Sequence, residues 1–154
     1  MQRIKILVPY NFTTYDQKSL KFVVNTFAHN RDADVTLLSA HTPLPEIEDR
    51  NAPVMARLKS SLNYLSQQNM AQENALQDAA KSLVQSGFSM HRVRAVFLPR
   101  KKDIATEIIQ FAKADNFNLI IVNHKSKKAT HYFTGHVFNK IITALTDITV
   151  CVIT

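Results

Sequence analysis

Apolar positions along the chain fall into short dense runs separated by longer stretches with a helical period. Ile4 to Pro9 (IKILVP) is nearly continuous, the pattern of a strand covered on both faces. A polar turn from Asn11 to Tyr15 leads into a helical period through Leu20, Val23, Val24 and Phe27. Asp34 to Ala40 (DVTLLSA) reads as a second strand, and the proline-rich stretch His41 to Pro53 as a loop. From Val54 to Ser86 neither Gly nor Pro occurs. Leu58, Leu62, Leu65, Leu76, Ala79, Ala80 and Leu83 there mark one long amphipathic helix, with a loosening expected near Gln67 to Asn69. Gly87 stands where a helix C-cap requires a positive φ.

His91 to Phe97 (HRVRAVF) alternates as a strand with one less buried face. A third helix turns Ile104, Ile108, Ile109 and Phe111 inward, with Asp103 as its N-cap. Asn118 to Val122 (NLIIV) is another buried strand. A last helix carries Val137, Phe138, Ile141, Ile142 and Leu145, and Thr149 to Ile153 (TVCVI) closes the chain. The alternation β-α-β-α-β-α-β-α-β forces parallel strands joined by right-handed crossovers. It predicts one α/β domain over 1–154, an open doubly wound five-stranded sheet with helices on both faces.

Composition narrows this without redirecting it. Hydrophobic residues make up 45% and charged residues 20%, as in an ordinary globular domain and unlike a disordered chain. No stretch has the roughly 20 apolar residues of a membrane span. Met1 to Ile6 runs into the first strand with no cleavable signal pattern. Cys151 is the single cysteine, so an internal disulfide is impossible, and a buried structural thiol in a cytoplasmic setting is expected. The net charge of +7 raises nucleic-acid binding as a possibility. Its basic residues are spread along the chain, without the interleaved aromatics of single-strand binders or a helix-turn-helix or zinc-finger spacing. A solvated basic face is the expectation.

Ligands of doubly wound sheets bind at the carboxyl ends of the strands, near the reversal of strand order. That singles out Pro9, Tyr10 and Asn11 after the first strand, Ala40 and His41 after the second, and Asn123 to Gly135 after the fourth. The start of the last helix, with Gly135, His136 and Val137, belongs with them, because its free N–H groups favour an anion.

The opening ILVPYNFT, the strand DVTLLSAH, the long second helix, and NLIIVNH leading to TGHVFNKII and TVCVI resemble the universal stress protein family over essentially the whole chain. The resemblance implies strand order 3-2-1-4-5 and a homodimer paired across the final strand, whose apolar edge needs cover. The ATP-binding branch of that family carries G-x-x-G and then G-S or G-T after strand four, its glycines letting backbone approach phosphate. Here Asn123 stands at the first glycine, the second is absent, Gly135 remains, and His136 replaces the small hydroxyl residue. Asn11 stands where that branch usually carries an aspartate, a lost negative charge that would make the site friendlier to anions.

The expected function is therefore a non-enzymatic, dimeric stress-response or regulatory module that does not grip ATP in the usual way and needs no cofactor. The alternative is a binding protein for a nucleotide (ATP, ADP or AMP) or another phosphorylated small molecule. Lys125, Lys127 and Lys128 would then form an electropositive rim with Ser126, against the simpler reading of a solvated turn. His124, His131 and His136 have no metal-ligand spacing and read as a chance cluster. Met55 and Met70 read as core or interface fill. No nucleophile–base–orienter trio is visible.

Overall fold

The structure, a computed structural model, describes residues 2–45, 52–124 and 135–154. Five strands, β1 (Ile4–Pro9), β2 (Ala33–His41), β3 (Val93–Pro99), β4 (Leu119–Asn123) and β5 (Thr149–Ile153), form one parallel sheet in the order β3-β2-β1-β4-β5. Between them run α1 (Asp16–Phe27), α2 (Ala52–Gln85), α3 (Ile104–Ala114) and α4 (Gly135–Ala144).

The period-2 alternation of the strands divides the core into two layers. Ile6, Val8, Val35 and Leu37 meet Leu20 and Val23 of α1 and Leu76, Ala80 and Leu83 of α2 on one face. Leu7, Leu38, Ile120 and Val122 meet Ile108 and Ile109 of α3 and Ile141 of α4 on the other. Each fully buried aliphatic side chain in these layers contributes roughly 1.5–3 kcal/mol over leaving it in water. The central strands are apolar on both sides because both sides are covered.

Gly87 ends the α2 segment at φ +123, as its position required. Asp103 caps α3, its carboxylate accepting from the Thr106 N–H at 3.0 Å. Four expectations need correction. Helix α2 runs without a break through Gln67–Asn69 and begins at Ala52, before Pro53, a residue its first turn tolerates for want of an intrahelical N–H partner. Strand β3 starts at Val93, because Met90–Arg92 forms a 3₁₀ turn, and it extends to Pro99, which pairs with His41. Cys151 is only partly buried, since β5 lies at the sheet edge, although burial still pushes its thiol above the ordinary value. Met70 is 62% exposed on the outer side of α2 and fills no core within the chain.

Candidate functional site at the strand tips

The carboxyl ends of β1, β2 and β3 open into a cavity of about 230 Å³. That lies just below the ~300–1,000 Å³ of typical small-molecule sites. Pro9, Tyr10, Asn11, Ala40 and His41, all singled out from the sequence, line it together. The His41 ring is held by stacking on Phe97, with centroids 4.4 Å apart and planes 27° from parallel. Phe12 lines the cavity too, its ring edge-on to Tyr10 at 5.1 Å.

Helix α2 supplies the opposite wall. Leu65, Gln68, Asn69 and Gln72 reach the cavity, and Asn69 Nδ2 donates to the Thr42 carbonyl at 3.0 Å. The inward stripe of α2 steps by three or four residues through Leu58, Leu62, Leu65, Asn69, Gln72, Leu76 and Ala80. Two polar residues interrupt that stripe where the helix passes the cavity rather than packed core. The signal was present in the sequence as an interrupted period, and the continuous helix gives it its meaning. Leu98 at the end of β3 and Arg100 just after it close the far side, and α3 adds Ile104, Glu107 and Ile108.

Beneath Asn11 lies a polar group the sequence reading missed. Asp16 is 1% exposed, and its carboxylate accepts from the N–H groups of Asn11 at 3.2 Å and Thr13 at 2.8 Å. Phe12, at φ +61, sits in the left-handed region that folds successive N–H groups into such a concavity. Asn123 Nδ2 donates to Asp16 at 3.4 Å, and the Ser19 hydroxyl donates to Asn123 Oδ1. Desolvation raises the Asp16 carboxyl above its ordinary 3.8, against the opposing pull of the Thr13, Asn11 and Phe12 N–H groups. Burial, followed by the Asp16 charge, raises the Tyr10 phenol above 10.0. Asp16, Ser19, Leu20 and Val23 form one helical face, and all four are buried. Their spacing was the available signal.

This overturns the expectation that Asn11 leaves the region short of negative charge. The carboxylate is supplied five residues later, by Asp16, and is more deeply buried. The N–H groups of Asn11 and Thr13 point at the protein's own anion. The β1–α1 loop therefore offers no cradle for a phosphate.

Asn123, Gly135, His136 and Val137 are not among the described residues that line this cavity. The amide of Asn123 is directed into the Asp16–Ser19 group. Gly135 opens α4, His136 is exposed, and Val137 packs partly on the second core layer. Lys125, Ser126, Lys127, Lys128 and His131 lie outside the described residues. The His124 ring rests against Phe138 at 4.6 Å. Among the described residues no three side chains are grouped to hold a metal ion, and no helix is long and apolar enough to cross a membrane.

A parallel sheet of order 3-2-1-4-5, with a cavity at its strand tips beside the reversal of order, defines the class: a doubly wound α/β domain. The chain belongs to the universal stress protein family, whose family model matches residues 3–151. Solved structures share the fold. Universal stress protein UspA from Lactobacillus plantarum superposes with a TM-score of 0.68 at 15% identity, covering 100% of this chain and 99% of its own. A universal stress protein from Archaeoglobus fulgidus in complex with dAMP gives 0.63 at 15% identity and full coverage of both chains. A family member from Arabidopsis thaliana with AMP bound gives 0.60 at 12% identity, covering 97% of this chain and 90% of its own. No curated protein sequence matches the chain significantly.

Proposed function

We propose that this protein is a small-ligand-binding regulatory module that takes an adenosine-type ligand, nucleoside or nucleotide, into the cavity at the tips of β1, β2 and β3. The observation that carries the reading is the polar interruption of the α2 stripe. Asn69 and Gln72, with Gln68 beside them, face a walled cavity at the place where an uninterrupted core helix would present leucines. Carboxamides, a ring at His41 and backbone groups at the end of β2 are the means by which a flat heterocycle is recognised. Similarity to the dAMP-bound and AMP-bound family members supports the ligand class. The N–H groups of Asn11 and Thr13 in the β1–α1 loop are taken by Asp16, which favours reading this end of the cavity as the place of the base or ribose rather than of a phosphate.

The second part of the proposal is a homodimer across β5. That strand is the sheet edge, and Val152 on it is 39% exposed. An unpaired apolar edge is a liability that pairing with a second copy removes.

Thermal unfolding tests the ligand reading. A ligand that binds only the folded state stabilises it by about 2.7 kcal/mol at 100 times its dissociation constant. For a domain of this size that corresponds to a rise in Tm on the order of 8 °C. Adenosine or AMP at millimolar concentration is expected to produce such a rise, and Gln72→Trp, which fills the cavity, is expected to remove it. Unchanged melting with adenosine, AMP and ATP alike would overturn the proposal. A monomeric mass by light scattering at micromolar concentration would overturn the dimer.

A further inference from the structure

Among the described residues Glu107 is the one carboxylate on the wall of the cavity, and it is fixed in place before any ligand arrives. It sits in the first turn of α3, half-buried, and its Oε1 accepts from the backbone N–H groups of Lys101 at 2.9 Å and Lys102 at 2.8 Å. Those two bonds both fall on Oε1 and leave Oε2 without a hydrogen bond from the described residues. Among the described residues no lysine, arginine or histidine forms an ion pair with it. Around it the cavity is lined by Ile104 and Ile108 from the same helix and by Arg100 from the turn before it. An ionised oxygen held in such a setting gains most from a hydrogen-bond donor brought by the ligand, and it repels an acceptor or an anion.

We propose that Glu107 is the specificity-determining residue of this cavity, accepting a hydrogen bond from an amino or hydroxyl group of the ligand. The substrate class follows: a donor-bearing nucleoside moiety, its amine or ribose hydroxyl directed at α3 and any phosphate directed away from it. The inference rests on the reading that the cavity holds an adenosine-type ligand.

Glu107→Gln separates charge from structure. The amide carbonyl still accepts from Lys101 and Lys102, so the loop stays closed, while the second atom of the group changes from acceptor to donor. Calorimetric titration of adenosine, 2′-deoxyadenosine and inosine into both proteins reads the outcome. Adenosine is expected to weaken about tenfold in Glu107→Gln, the loss of one charge-assisted hydrogen bond. If the amine is the donor, wild type prefers adenosine to inosine, and Glu107→Gln reduces or inverts that preference. If the ribose hydroxyl is the donor, 2′-deoxyadenosine binds wild type weakly and is indifferent to the substitution. Adenosine binding that Gln72→Trp abolishes but Glu107→Gln leaves within twofold overturns this inference alone. Absence of binding by all three ligands to wild type overturns it together with the proposed function.

Discussion

The two loops that border the cavity are closed by the same device in opposite surroundings. After β1, the carboxylate of Asp16 in the first turn of α1 turns back onto the N–H groups of Asn11 and Thr13. After β3, Glu107 turns back onto Lys101 and Lys102, and Asp103 caps Thr106. The first group is sealed from water; Asp103 is exposed. Desolvation therefore dominates at Asp16 and raises its carboxyl above 3.8. At Asp103 the Thr106 hydroxyl and N–H, with Lys140, prevail and hold the carboxyl well below 3.8. One geometry thus closes both loops, and burial decides in which direction each carboxyl shifts.

Removing the buried member should have the largest effect. Asp16→Ala leaves the Asn11 and Thr13 N–H groups and the Asn123 amide without their acceptor, a cost of about 3 kcal/mol at buried sites. The urea midpoint of unfolding checks it. Asn123→Gly restores a glycine at the family's first loop position but strips Ser19 and Asp16 of their shared partner. A loss of about 1–2 kcal/mol is expected, by the same measurement.

The pH dependence sharpens the comparison. A raised folded pKa means that the folded state holds the Asp16 proton more tightly. Its contribution is therefore fully present below 3.8 and is lost as pH rises through the folded value. A lowered folded pKa does the reverse. The Asp103 contribution is present above 3.8 and is lost as pH falls toward its depressed value. Stability of wild type relative to Asp16→Asn should thus decline with rising pH, while stability relative to Asp103→Asn should increase. Parallel difference curves would remove the distinction drawn here. The smallest effect is expected from Asp103→Ala at neutral pH, a fall in Tm less than that of either buried-cluster variant.

The alternation of elements and its sheet were legible in the chain because both depend on local periods. Runs such as IKILVP and NLIIV admit only strands covered on two sides. Less of the site could be read. The residues after β1 and β2 converge as their positions implied, since the fold dictates where strand ends meet. Gln67 to Asn69 looked like a weakness in the helix, because a period analysis cannot distinguish a break from a face that meets a cavity. Asp16 and Ser19 escaped because polar residues in a first turn are ordinarily solvated, and only the packing of α1 against β4 buries them. Glu107 is seven residues from Arg100 along the chain and joins the same wall only through the turn into α3.

The central claim is that the cavity at the tips of β1, β2 and β3 is where a ligand binds. Titrating adenosine into the isotopically labelled protein and following backbone amide resonances tests it most directly. Shifts concentrated at Asn11, Ala40, His41, Gln68, Gln72 and Glu107, saturating together, are the predicted result. Saturable shifts confined to α4 and β5, with those six residues unmoved, would contradict it.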